Sequence, residues 1–137
     1  MNVLIEQVTG NVPVTILSTT GDLDASNYMD LINTAKEVYR TGARFILLDM
    51  SETPFMSSAG LMALHSIVLL ARGQKPVNPE LGWEAFKTID RDRENGTQRT
   101  IKLLNPQPKV DRTLEMSGMK RFFEIYTDRQ TALSAYA

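Results

Sequence analysis

Phe45, Ile46, Leu47 and Leu48 form an unbroken apolar run that ends at Asp49, and it constrains the fold more than any other feature. Successive side chains of a strand point to opposite faces of its sheet. A strand without polar residues is therefore covered on both faces, which is typical of parallel or mixed sheets with helices packed outside them. We predict such a sheet for this chain.

The residues before this run predict two strands and a helix. Short apolar and β-branched runs at residues 3–8 and 12–17 are typical of two strands joined as an antiparallel hairpin. Apolar residues then recur at helical spacing from Tyr28 to Tyr39, and Gly42 is suited to end that helix.

The residues after the run continue the alternation of strands and helices. A second helix reaches about Arg72, residues 101–104 form another buried strand, and a third helix stops at Gly118. A last strand at residues 122–126 precedes a final helix that is capped by Asp128. The order is ββαβα, insert, βαβα. It predicts one small α/β domain over the whole chain, with a mixed, mostly parallel sheet of four to five strands and helices outside.

An insert at about residues 73–98 interrupts this pattern and is long for a connection within a compact domain. Pro79 and the spacing of Trp83 and Phe86 favour a short amphipathic helix. Asn95-Gly96 is compatible instead with a hairpin turn into the following strand. The aromatic residues either pack the insert onto the domain or line a cofactor site, and we favour packing.

Composition excludes several kinds of chemistry. The 137 residues include no cysteine and one histidine, and the formal net charge is −1. Disulfides, thiolate zinc sites and thiol nucleophiles are therefore excluded. A single histidine also gives little support for a histidine-rich metal site or a Ser-His catalytic pair. Because basic and acidic residues are nearly equal in number, the sequence lacks the excess of positive charge that is typical of nucleic-acid-binding proteins. We expect no metal, no cofactor and no enzymatic activity.

The sequence also lacks targeting signals. The N-terminus has neither a basic nor an apolar signal-peptide region, and the most apolar stretch is too short to cross a bilayer. We expect a cytoplasmic protein without membrane insertion, and a peripheral module of a membrane assembly is the alternative.

Five motifs, each at the end of a predicted strand or the start or end of a helix, together give the chain a family resemblance. In chain order they are Gly21-Asp22-Leu23-Asp24, Leu48-Asp49-Met50-Ser51, Phe55-Met56-Ser57-Ser58-Ala59-Gly60-Leu61, Asn105-Pro106 and Leu114-Glu115-Met116-Ser117-Gly118-Met119. The chain resembles the STAS domains, the family of bacterial anti-sigma factor antagonists and their relatives. Nearly the whole chain outside the insert takes part in the resemblance.

The resemblance implies a regulatory serine. In that family the second helix usually opens with Phe-Met-Asp-Ser-Ser/Thr-Gly-Leu, and a partner kinase that is also the anti-sigma factor phosphorylates the serine after the aspartate. Aligned on Phe55-Met56 and Gly60-Leu61, that serine is Ser58. Ser57 takes the place of the aspartate and is the alternative phosphorylation site, and Ala59 replaces the next hydroxyl residue.

The function implied by the resemblance is a protein–protein switch. The unphosphorylated protein would bind the anti-sigma factor and free the sigma factor, phosphorylation at Ser58 would release it, and a serine phosphatase would restore binding. The first alternative is a constitutive STAS interaction module in a scaffold or a membrane transport complex. A second is a nucleotide or small-ligand site at the start of the second helix, although no glycine-rich phosphate loop accompanies it.

Physical chemistry gives Ser58 two possible roles. A serine at a helix start caps free backbone N–H groups, and the same position favours a phosphate because of those groups and the helix dipole. Phosphorylation there would add about 1.5 to 2 negative charges to a surface without unfolding the helix.

Helical geometry predicts which residues share the surface with Ser58. At ~100° per residue, Met62, His65 and Leu69 lie on nearly the same side of the second helix as Ser58. We expect this side to be outermost and its residues to contact a partner. The alternative is that the insert folds over it.

Asp22 and Asp24 precede the first helix. Such aspartates are suited to cap a helix. In the family that the chain resembles, this loop lies beside the phosphorylatable serine and joins the docking surface, so we also predict both residues as partner contacts.

Overall fold

The computed structural model describes residues 2–72 and 98–136. Its five strands form one sheet in which spatial order follows chain order. They are β1 (Asn2–Thr9), β2 (Pro13–Thr20), β3 (Ile46–Glu52), β4 (Gln98–Leu104) and β5 (Phe123–Tyr126). β1 is antiparallel to β2, and the other neighbours are parallel. This confirms the predicted mixed, mostly parallel sheet.

The helices of the described residues alternate with the strands as predicted. They are α1 (Tyr28–Arg40), α2 (Ser58–Ala71), α3 (Pro108–Ser117) and α4 (Arg129–Ser134). Asp128 caps α4 by accepting a hydrogen bond from the backbone N–H of Thr131 at 2.8 Å. The small α/β fold is therefore confirmed at the level of its elements.

One short element was not predicted. A 3₁₀ helix at Met119–Phe122 lies between α3 and β5, so the assignment of Phe122 to the last strand was wrong. Gly118 adopts a φ of 80° and ends α3. The chain then makes a tight turn, in which the N–H of Arg121 donates to the Gly118 carbonyl at 3.3 Å. Helical i→i+3 bonding keeps Phe122 out of the strand.

Alternate strand residues enter two hydrophobic cores. Leu17 and Leu48 belong to the larger core, on the side where α1, α2 and α3 pack. Ile16 and Leu47, one residue earlier in the same strands, belong to the smaller core, which includes α4 and Tyr136. This division follows from the period of two in a strand, and it covers most of both faces of β2 and β3.

The predictions for the insert, a short helix or a hairpin and the packing of Trp83, fall on residues 73–97 and lie outside the described residues. The strand after the insert begins at Gln98, three residues before the predicted start of the buried strand at Ile101. No helix within the two described ranges is long and apolar enough to span a membrane.

Candidate functional site at the N-terminus of α2

Leu23 joins the loop before α1 to the segment before α2. Its backbone N–H donates to the Phe55 carbonyl at 3.0 Å, and its carbonyl accepts from the Ser57 N–H at 2.9 Å. Leu23 and Met56 thus pair as an isolated parallel bridge, and both side chains are buried. The two loops that carry the predicted site residues are therefore held together by backbone hydrogen bonds.

Gly60 allows α2 to approach this bridge closely. A Cβ atom at Gly60 would lie 2.2 Å from Cγ of Met56 and 3.1 Å from Cγ of Leu23. Real Cβ atoms do not make contacts as short as the first of these, so only glycine fits without a shift of its neighbours. Gly60 therefore sets the position of the first turn of α2 against the loops.

Ser57, and not Ser58, caps α2. The Ser57 hydroxyl accepts a hydrogen bond from the backbone N–H of Ala59 at 3.2 Å, and its backbone is extended, as a cap requires. Ser58 is the first helical residue, its side chain is exposed, and no described residue hydrogen-bonds to its hydroxyl. The interpretation of Ser58 as the cap was wrong. The preceding residue satisfies the helix terminus and leaves the Ser58 hydroxyl facing solvent.

Asp22 and Asp24 do not cap α1. The cap position is Asn27, without a side-chain capping bond. The Asp24 carboxylate instead accepts from the hydroxyl and the backbone N–H of Ser26, and these two hydrogen bonds hold the pKa of Asp24 below its usual value. Asp22 is exposed and accepts from the Asn27 side chain through its backbone carbonyl at 2.8 Å. The carboxylate of Asp24 shapes this loop, and that of Asp22 faces solvent.

The expectation that Met62, His65 and Leu69 form an exposed stripe was wrong. All three are buried. The His65 ring makes an edge contact with Phe122 of the 3₁₀ helix, with centroids 6.0 Å apart, and Met62 belongs to the larger core. The helix is apolar around most of its circumference, and such a helix is typically buried on several sides. The alternative cover, the insert, lies outside the described residues.

Sequence analysis missed Phe55 as a surface residue of this site. Phe55 is 43% exposed although its own backbone carbonyl accepts a hydrogen bond from the N–H of the buried Leu23. Pro54, directly before it, is also exposed. The sequence did contain an indication of this exposure. Phe55 is a large aromatic residue that follows a proline in a loop and belongs to no helical or strand pattern. The surface formed by Asp22, Asp24, Phe55, Ser57 and Ser58 is called the α2 N-terminal surface below.

Asp49 and Ser51 are engaged with each other near the end of β3. The Asp49 carboxylate accepts from the hydroxyl of Ser51 at 2.7 Å and from its N–H at 3.0 Å. The Ser51 carbonyl accepts from the Gln107 side chain at 2.7 Å, which ties the end of β3 to the start of α3. Within the described ranges, no three histidine, aspartate or glutamate residues are grouped as a metal site requires.

Solved structures that share this fold include anti-sigma factor antagonists. One from Mycobacterium paratuberculosis superposes with a TM-score of 0.66 at 19% sequence identity, over 98% of this chain and 92% of its own. A putative antagonist from Thermotoga maritima gives 0.61 at 18% identity, over 94% and 91%. The Bacillus cell fate determinant SpoIIAA in its phosphorylated form gives 0.56 at 16% identity, over 95% and 96%. At these identities the likeness shows the fold.

Among curated proteins, none matches this sequence. The family model for the STAS domain matches residues 5–75, a segment that runs from β1 to just beyond α2 and includes the α2 N-terminal surface. This segment is more than half of the 137 residues. The chain belongs to the STAS domain family.

Proposed function

We propose that this protein is an anti-sigma factor antagonist that works as a non-enzymatic, phosphorylation-controlled switch in the cytoplasm. Its unphosphorylated form binds an anti-sigma factor with serine kinase activity through the α2 N-terminal surface. Phosphorylation of Ser58 releases the partner, and a serine phosphatase restores binding. The observation that carries the proposal is the exposed Ser58 hydroxyl at the first residue of α2, beside a loop held in place by Leu23.

The geometry supports Ser58 over Ser57 as the phosphorylated residue. The Ser57 hydroxyl is half-buried and occupied by the Ala59 N–H, so a kinase would have to break the helix cap to reach it. Ser58 is exposed and can be modified without breaking a described hydrogen bond. Phosphate at a helix N-terminus is favoured by the helix dipole, and the first turn of α2 contains no acidic residue.

The surroundings of Ser58 support docking of a partner. Phe55 gives the surface an exposed aromatic side chain, a type that is enriched at protein interfaces. Asp22 and Asp24 add two carboxylates on the neighbouring loop. A phosphate of about −1.5 to −2 charges placed among them would repel an acidic partner group and add bulk to the interface. The buried residues Met62, His65 and Leu69 are not part of this proposed surface.

The related structures support a switch that keeps its fold. SpoIIAA has been solved in unphosphorylated and phosphorylated forms, and both superpose on this chain. A modification that leaves the backbone in place acts through the interface, which is what an exposed hydroxyl at a helix start allows.

The direct test is phosphorylation by candidate kinases from the same genome, with the modified residue located by mass spectrometry. We expect phosphate on Ser58 of the wild-type protein and of Ser57→Ala, and none on Ser58→Ala. Absence of phosphate with every candidate, or phosphate on Ser57 alone, would contradict the proposal.

A binding experiment tests the second half of the switch. Ser58→Asp should weaken the affinity for the kinase partner at least tenfold, which is about 1.4 kcal/mol, while the far-UV spectrum stays unchanged. Ser58→Asn is the matched control, since it has the same size without the charge. Equal losses in both variants would show that bulk, rather than charge, releases the partner.

The second candidate function is a constitutive STAS interaction module in a scaffold or membrane transport complex. The observation that favours it is Ser57 in place of the family's aspartate before the phosphorylated serine. It predicts stable partner binding that no kinase treatment changes, and the two experiments above separate it from the switch.

A further inference from the structure

β1 is an edge strand with unusual exposure. It pairs with β2 over eight consecutive residues without a register shift, and no described strand lies on its other side. Leu4 is 63% exposed and Ile5 52% exposed. Because they are successive residues of one strand, they point to opposite faces of the sheet. Both faces of this edge therefore present apolar surface to solvent.

The outward hydrogen-bonding groups of β1 can be identified from its neighbour. The N–H of Thr15 in β2 donates to the Phe45 carbonyl at the start of β3, and Thr15 lies opposite Gln7. In an antiparallel pair, two opposite residues that do not bond each other point their backbone groups away from each other. Gln7 and its alternates Val3 and Ile5 therefore present free N–H and C=O groups at the edge.

This edge lacks the features that usually prevent strand pairing. Natural edge strands are protected by lysine, proline, bulges or short length, and β1 has none of these. Its one charged residue, Glu6, pairs with Arg129 of α4 at 2.5 Å within the same chain. The only charge on β1 is therefore paired within the chain.

We propose that β1 pairs with β1 of a second copy of this chain, antiparallel and with the two-fold axis at Leu4. In this register Leu4 faces Leu4 on one side of the sheet. Val3 faces Ile5 on the other side, and the outward groups of this pair satisfy each other. Glu6 faces Asn2, so no like charges meet. The result is a continuous ten-stranded sheet.

Charge and shape select this register. An axis at Glu6 would place two carboxylates directly opposite, which is destabilising. An axis at Ile5 would place Leu4 against Glu6 and lose the apolar contact on that face. A single strand per copy makes a small interface, of the class below about 1,200 Å² that is typical of weak and transient association. The dimer should therefore form and dissociate with concentration.

Single-cysteine variants test the register, because the chain has no cysteine of its own. In the proposed dimer the two Leu4 residues form a non-hydrogen-bonded pair with Cα atoms about 4.5 Å apart, which is within the Cα–Cα range that a disulfide bridges. Leu4→Cys should cross-link under mild oxidation, and Ile5→Cys, whose copies are offset along the strands, should not. Equal cross-linking of both variants, or none in Leu4→Cys, would overturn the proposal.

Sedimentation over a range of concentrations tests the association itself. The wild-type mass should rise towards that of a dimer, and Leu4→Lys should stay monomeric because two ammonium groups would meet at the axis. Met116→Lys is the matched control, since Met116 is 81% exposed on α3, outside β1, and should behave as wild type. Wild-type protein that stays monomeric, or a Met116→Lys variant that also dissociates, would refute the dimer.

The tests of the β1 dimer give a result that does not depend on whether Ser58 is a phosphorylation switch. Because the two β1 strands run antiparallel, the carboxyl ends of β2 and β3, which lead into the α2 N-terminal surface, point in opposite directions along the strands in the two copies. Leu4→Lys should therefore keep its phosphorylation at Ser58 and its affinity for the kinase partner, whether or not the dimer forms.

Discussion

Ser57 and Ser58 are neighbours in the chain with different surroundings. Ser57 satisfies a backbone N–H at the start of α2, and Ser58 makes no described side-chain hydrogen bond. A modifiable hydroxyl is most useful where its modification leaves the fold intact, and the division between these two serines meets that condition. The helix is capped by one residue, and the signal can be carried by the other.

Alanine variants separate these roles in stability measurements. Ser57→Ala should lower the free energy of unfolding by about 1 kcal/mol, because the Ala59 N–H loses its acceptor. Ser58→Ala should change it by less than ~0.5 kcal/mol, as exposed substitutions usually do. Urea denaturation followed by circular dichroism measures both. The reverse order would show that Ser58 is the true cap.

Gly60→Ala should destabilise the protein by about 1–3 kcal/mol, because the new methyl group would overlap Met56. Thermal and urea unfolding measure the loss. The control is the double variant with Met56→Ala, which removes the obstructing side chain. The two changes should then cost less together than the sum of their separate effects, since residues in contact are not additive. A strictly additive result would place the strain elsewhere.

His65 shows what the sequence can and cannot predict at this scale. Helical spacing correctly grouped it with Met62 and Leu69 on one side of α2. Which side of an apolar helix is covered depends on distant residues, and here the described cover is Phe122, which is 57 positions away in the chain. A residue pattern within one helix contains no information about such a contact.

At the scale of elements, a buried lysine lies beside Tyr136 of the smaller core. Lys102 of β4 is buried, its ammonium group forms an ion pair with Glu124 of β5, and it lies 5.1 Å from the centre of the Tyr136 ring. Alternation in β4 placed this side chain on the inner face of a strand, where a lysine is rarely found. The lysine is tolerated because its charge has both a carboxylate and an aromatic partner.

Replacing Glu124 should lower the free energy of unfolding more than replacing Lys102. Glu124→Gln should lower the free energy of unfolding by about 1–3 kcal/mol, because it leaves a buried ammonium group without its carboxylate. Lys102→Met should be neutral or stabilising, since an apolar side chain of similar length needs no partner. Chemical denaturation of the two variants gives the comparison. A larger loss in Lys102→Met would mean that the ion pair itself stabilises β4 and β5.

The sequence was most informative at this scale. Apolar runs and helical spacing placed the described strands and long helices, because each pattern follows directly from the geometry of one element. The 3₁₀ helix was not predicted, because its four residues are too few to show a helical repeat of apolar side chains. Gly118 indicated only where α3 ends. The site was predicted in part. The motif located Ser57 and Ser58, whereas the exposure of Phe55 depends on how the two loops meet.

At the scale of the whole molecule, Tyr136 joins the last described residues of the chain to the central sheet. Its hydroxyl donates to the Ile46 carbonyl at 2.6 Å, and its ring meets the edge of Phe45 at 5.8 Å. Burial raises the pKa of Tyr136 well above its usual value. The folded protein therefore keeps this phenol neutral at pH values where the unfolded chain releases its proton.

The stability of the folded protein should therefore decrease as the pH rises above about 10. A raised pKa in the folded state means that the contribution of Tyr136 to stability is complete below the unfolded pKa of about 10, and is lost as the pH rises above it. One such group adds a slope of up to about 1.4 kcal/mol per pH unit. Unfolding free energies between pH 8 and 11 should fall less steeply in Tyr136→Phe than in wild type. Identical slopes would mean that the phenol ionises in the folded state.

The two hydrogen bonds by which Leu23 joins its own loop to the segment before α2 have a thermodynamic consequence for recognition. A surface that is already ordered before its partner arrives has little backbone entropy left to lose, so less of the interaction free energy is spent on ordering it. Association should then show a heat-capacity change that matches the apolar area covered, without the larger signature of coupled folding. Two backbone bonds at one buried leucine would thus determine whether recognition resembles rigid docking or folding upon binding.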